Sequence, residues 1–107
     1  MTRNNPWAGE VAIAVGGRSY RAKLTLGALA EMEAALPSGN LLDLVERFEA
    51  GRFSSRDVLE VLVAGLRGGG EWQGGREDML ALDLGGGPVG AARLAAQLLA
   101  RAFALPE

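Results

Sequence analysis

Between Ser38 and Leu66 the chain reads SGNLLDLVERFEAGRFSSRDVLEVLVAGL, a stretch that admits little but two short helices meeting at a close corner. Leu41, Leu44, Val45 and Phe48 recur at helical spacing, as do Val58, Leu59, Leu62, Val63 and Leu66. Each run carries its own start signal. Asn40 is placed to cap the first, with Asp43 at its third helical position; Ser54 and Asp57 have the spacing of a reciprocal capping box for the second. An acid at that position also meets the positive end of the helix dipole. The link Ala50-Gly51-Arg52-Phe53 is too short for anything but a corner. Nothing in the stretch is reactive.

What surrounds this pair follows from composition. The chain has 107 residues, enough for one domain, and 49% of them are apolar. Ala and Leu supply most of that fraction, with only two Trp, one Tyr and three Phe, which suits thin helices packed closely through small side chains. Cysteine and histidine are absent, which removes disulfides, thiol chemistry and the commonest neutral-pH acid–base group and metal ligand. A net charge of -2 suggests neither an acidic tail nor a basic nucleic-acid surface. MTRNNPWAGE has no apolar run like that of a signal peptide, and no later run approaches membrane-spanning length. The expectation is a soluble cytoplasmic protein.

The expected fold class is α+β, mostly α: an N-terminal β-hairpin followed by four or five short helices in a single domain over 1–107. Residues 1–8 form a loose arm, 9–24 the hairpin and 25–103 the helical part. In the hairpin Val11, Ile13 and Val15 alternate with alanines, and Gly16-Gly17 supplies a two-residue turn. That register sets Val15 against Arg18, Ile13 against Tyr20 and Val11 against Ala22. Tyr20, Ala22 and Leu24 then face inward, and Ser19, Arg21 and Lys23 outward. Arg18, Arg21 and Lys23 read as a solvated strand face that resists edge pairing. Thr25 caps a helix to about Leu36 with Leu26, Leu29, Met32 and Leu36 on one stripe. After Leu66, RGGGEWQGG is the least regular segment, a mobile loop or a close-packed turn that either tucks Trp72 in or presents it to a partner. Glu77 to Leu84 reads as a short helix or irregular turn. Pro88 opens a last helix, in which Ala92, Ala95, Ala96 and Ala102 offer a close-packing face and Leu94, Leu98, Leu99 and Phe103 supply bulk.

Chemistry finds no foothold in this pattern. Glu31 with Glu33, and Glu77 with Asp78, lack the spacing of a catalytic pair. Ser54 and Ser55 have no histidine partner, no set of metal ligands converges, and the arginines lie scattered among acids. The expectation is no enzyme, no cofactor, no metal, no direct nucleic-acid contact and no membrane. Candidate protein-interaction residues are therefore the large apolar ones whose burial the sequence leaves open: Trp7, Ile13, Tyr20, Trp72 and Phe103.

The order hairpin, LTLGALAEMEAAL, NLLDLVERFEAG, SSRDVLEVLVAGLRGGG and an Ala/Leu helix resembles a small phage-like family encoded beside the tail tube gene in gene transfer agents. The likeness covers about Gly9 to Phe103, most specifically Leu24 to Glu33 and Phe53 to Gly70. That family is labelled sometimes a tail tube protein and sometimes a tail assembly chaperone. The resemblance implies a chaperone that binds tail tube and/or tape measure proteins during assembly, with self-association left open. A tube wall needs a β-rich ring, and one hairpin with some four helices supplies few strands for it. Two competitors are a structural tube or connector subunit retained in a virion-like particle, and a small DNA-packaging or regulatory module.

Overall fold

The computed structural model describes residues 9–36, 40–75, 78 and 86–103. Within them an antiparallel hairpin, β1 (Val11–Val15) and β2 (Arg18–Ala22), precedes four helices. These are α1 (Leu26–Ala35), α2 (Leu41–Glu49), α3 (Ser55–Gly69) and α4 (Gly87–Ala102). The class is α+β, as the pattern predicts. Trp7, the rest of the arm, and most of Glu77 to Leu84 lie outside the described residues.

The hairpin register matches the alternation: Val11 pairs with Ala22, Ile13 with Tyr20 and Val15 with Arg18. Gly16 and Gly17 take φ of +59° and +80°, the left-handed pair that a two-residue turn matched to strand twist requires. Val11, Ile13, Val15 and Ala22 are buried on one face, while Ala12, Ala14 and Ser19 are exposed on the other. A lone hairpin is marginal in water, so this one lies on helices. α3 is the central element, packing against α1, α4 and β2.

The caps form as the sequence predicts. Thr25 Oγ1 accepts from the Ala28 N–H at 3.1 Å. Asn40 Oδ1 accepts from Leu42 at 3.0 Å, and Ser54 and Asp57 exchange the two bonds of a capping box. At the corner between α2 and α3, Gly51 adopts φ +70°. The Gly51 N–H then bonds the Phe48 carbonyl and the Arg52 N–H the Arg47 carbonyl, which ends α2 with a double C-terminal closure. Phe48 and Phe53 stack across this corner with centroids 4.6 Å apart.

Three expectations need correction. The buried ridge of α1 is Ala28, Met32 and Leu36, whereas Leu26 is 84% exposed. Leu26 lies roughly 160° round the helix axis from Ala28, and Leu24, two residues earlier, already fills the core at that corner. On α4 the buried positions are Ala91, Ala95, Leu98 and Leu99; Ala96 is exposed, so the packing face is turned from the predicted one. Finally, α3 does not stop near Leu66 but runs on through Gly68 and Gly69.

That last difference has a steric cause. A Cβ at Gly69 would stand 1.8 Å from the Arg21 carbonyl oxygen, and one at Gly68 would stand 2.1 Å from that of Lys23. At Gly65 it would meet Leu98 Cδ1 at 2.6 Å. Glycine costs a helix interior about 1 kcal/mol relative to alanine. Here it lets strand backbone rest on helix backbone, and the Lys23 N–H donates to the Gly65 carbonyl at 2.8 Å. Gly27 has no such role: it is exposed in α1, and the nearest atom to an added Cβ is Thr25 Oγ1 at 4.0 Å. Gly27→Ala should therefore stabilise the chain by about 0.5–1 kcal/mol, read as a higher urea midpoint at unchanged slope.

Candidate functional site

The two edges of the hairpin differ. The Arg21 N–H donates to Glu71 Oε1 at 2.7 Å, so it points away from β1. Arg21 pairs with Ala12. In an antiparallel ladder the members of such a pair both turn their N–H and C=O outward, and the outward pairs alternate. Ala12 and Ala14 on β1, and Ser19 and Arg21 on β2, therefore carry the outward groups.

On the β2 side the C-terminal end of α3 closes most of that edge. Glu71 takes the Arg21 N–H, Gly69 lies against the Arg21 carbonyl, and Gly65 takes the next outward N–H, from Lys23. On the β1 side, a guanidinium N–H of Arg101 in α4 donates to the Glu10 carbonyl. Beyond that point no described residue bonds the outward groups of Ala12 or Ala14. Both side chains are exposed, small and uncharged. Charges, prolines and bulges are the usual devices that keep a strand edge from pairing, and β1 has none between Val11 and Val15.

The five candidate residues fall into separate places. Ile13 is fully buried beneath the hairpin, and Trp72 retains 8% exposure. Both belong to the chain's own core and present no free surface. Trp72 takes the tucked alternative, with its ring so close to Gly74 that a Cβ there would sit 2.4 Å from Cζ2. Tyr20 is half-buried beneath the Arg18 guanidinium, which lies 5.2 Å from its ring centroid. Phe103, at 44% exposure, ends α4 and is the most accessible described member of the set. Trp7 lies outside the described residues. Sequence reasoning passes over Ala12 and Ala14 because it ranks residues by size, whereas an edge is offered by backbone. The available signal is an outward-facing strand position with no charge.

The second polar feature is the corner of α2 and α3. Asp57 is buried, and Arg47 grips it with two bonds, Nε to Oδ2 at 3.1 Å and a terminal nitrogen to Oδ1 at 2.8 Å. Arg47 also pairs with Asp43 one helical turn back. Burial alone would push the Asp57 carboxyl up. The Arg47 bonds and the Ser54 N–H outweigh it and hold the carboxyl below its ordinary value. A carboxylate kept ionised in this way is a structural acceptor and no proton donor. An open cavity of about 380 Å³ adjoins the pair, lined by Leu36, Arg52, Arg56 and Glu60 among others.

Among the described residues no group of His, Cys, Asp or Glu is placed to hold a metal ion. None of their helices is long and apolar enough to cross a membrane. Neither a curated protein nor a solved structure matches the chain. A family model does, that of the phage tail tube protein GTA-gp10, and it aligns with residues 8–105. The match spans the hairpin and every described helix, so this chain belongs to that tail-tube-associated phage and gene-transfer-agent family, one of tail proteins and not of enzymes.

Proposed function

We propose that the chain acts by non-covalent binding while a phage-like tail is built in the cytoplasm, holding a tail tube or tape measure protein before the tube closes. The observation that supports this reading is the asymmetry of the hairpin. A ring built by sheet continuation needs a head-to-tail interface, and therefore two free edges in every subunit. Among the described residues α3 occupies most of one edge, and none bonds the outward groups of Ala12 and Ala14 on the other. Such a sheet can accept one partner strand but cannot propagate round a wall. Phe103 and half-buried Tyr20 are the members of the candidate set that we propose as further contacts.

A second reading, a tube or connector subunit retained in the particle, is favoured by the family's own description, which names a tail tube protein. That wording speaks for it more directly than any comparison speaks for the helper. A subunit of this shape would join its neighbours through helix surfaces, where Leu26, Leu42 and Val89 are exposed. Co-expression with the tail tube and tape measure proteins, followed by sizing and mass of each complex, separates the two. The helper reading expects a small defined complex with a tail protein and no trace of the chain in finished particles. Recovery from finished particles at the stoichiometry of a ring would replace it with the subunit reading.

A further inference from the structure

The open edge of β1 has a polarity that narrows what fits it. At its start stands Arg101, whose guanidinium donates to the Glu10 carbonyl, itself one of the outward groups of this edge. Among the described residues no carboxylate pairs with Arg101. Along the strand beyond it come Ala12 and Ala14, exposed and without charge. Leu94 shares the Arg101 face of α4 two turns earlier, and it is partly buried against the core. The edge thus presents the Arg101 guanidinium at its start, beside the Glu10–Arg21 ion pair, then a neutral middle with outward N–H and C=O groups, and an apolar residue on the supporting helix.

We infer that the β1 edge at Ala12 and Ala14 accepts an extended segment of a tail protein as a third strand, the segment being uncharged along its middle and acidic at the end that meets Arg101. Main-chain bonds supply the affinity in this mode and side chains supply the selectivity. Small residues at positions 12 and 14 leave the incoming strand's outer side chains unobstructed. An acidic side chain at that end of the segment would meet the Arg101 guanidinium, which still has donors to spare beyond its carbonyl bond.

A second copy of this chain fits the edge less well. Laid antiparallel across Ile13, it would bring its own Gly16–Arg18 end beside Arg101 and set like charges together.

This inference rests on the reading of the chain as a binder of tail proteins, and the test separates the two. The outward N–H of Ala14 takes no part in the pairing with β2, so Ala14→Pro removes a donor from the edge and none from the hairpin. Ala12→Lys adds a charge of the kind that guards edges. Each variant and the parent chain would be co-expressed with the tail tube and tape measure proteins, with binding and amide exchange measured on the purified complexes. The expected result is a parent complex, weakening of roughly tenfold or more in Ala14→Pro, a smaller loss in Ala12→Lys, and new protection at the Ala12 and Ala14 amides. Undiminished binding by Ala14→Pro, folded as the parent is, would overturn the edge while leaving the functional reading in place. If Ala14→Pro fails to fold, exchange in the parent complex decides: unprotected Ala12 and Ala14 amides overturn the inference. A parent chain that is dimeric alone, protected at the same amides, would make the occupant a second copy and overturn it equally. No complex with either tail protein would remove the functional reading and this inference with it.

Discussion

Gly69→Ala is expected to lower stability by about 3 kcal/mol or more, at or beyond the upper end for overpacked sites. The added Cβ would fall 1.8 Å from the Arg21 carbonyl oxygen and 2.6 Å from its carbon, both backbone atoms that no rotamer change can move. Relief requires α3 and β2 to separate. That would weaken the Glu71 bond to the Arg21 N–H and the Gly65 bond to Lys23 as well. For a chain of this size the loss corresponds to a fall of roughly 10–20 °C in thermal midpoint. Gly75→Ala is the control, because nothing lies within 4 Å of an added Cβ there. Calorimetry on the two variants checks the claim. A Gly69→Ala midpoint within a degree or two of the control would mean that strand and helix do not meet backbone to backbone.

Asp57→Ala is expected to cost about 2–4 kcal/mol, since it removes a helix cap and strands a half-buried Arg47. Asp57→Asn should cost less, because its amide oxygen still accepts from the Ser54 N–H. Replacing both partners, as Arg47→Met with Asp57→Leu, should recover much of the loss, because no uncompensated charge then remains. The pair also predicts a pH dependence. The folded-state pKa of Asp57 is depressed, so its contribution is complete above the ordinary carboxylate range, near pH 4. It is lost as pH falls through the depressed value. Urea midpoints measured at pH 7 and again near pH 2 should therefore converge between the parent chain and Asp57→Ala. A gap of unchanged size at low pH would assign the effect of Asp57 to packing and not to charge.

Much of this fold is legible because its signals are local. Asn40, Ser54 and Asp57 announce helix starts through bonds that span two or three residues. Gly16-Gly17 fixes the register of the whole hairpin through a turn with few alternatives. The Arg47–Asp57 pair was not legible in the same way. Ten residues and a corner separate its members, and only the angle between α2 and α3 brings them together. The run RGGGEWQGG looks irregular for a similar reason. Three neighbouring glycines signal a loop unless something distant presses on them; here β2 presses on Gly68 and Gly69, while Gly70 ends α3 at φ +83°.

The site divides along the same line. Large apolar residues can be found by eye, but whether they serve core or surface depends on which way each element is turned. Ile13 and Trp72 are spent on the core, and Phe103 is left outside. Leu26 and Met32 both read as apolar members of one stripe, yet they lie roughly 120° apart round the helix axis and end at 84% and 1% exposure. By itself the sequence determined the element types, their caps, the hairpin register and the absence of histidine and cysteine chemistry, all of which follow from short-range sterics and composition. Tertiary structure alone decided which face of each helix is buried, why α3 carries glycines, and that among the described residues α3 closes most of the β2 edge and none closes that of β1 at Ala12 and Ala14. Those outcomes depend on contacts between residues as far apart as Arg21 and Glu71 or Glu10 and Arg101, and no local pattern encodes such distances.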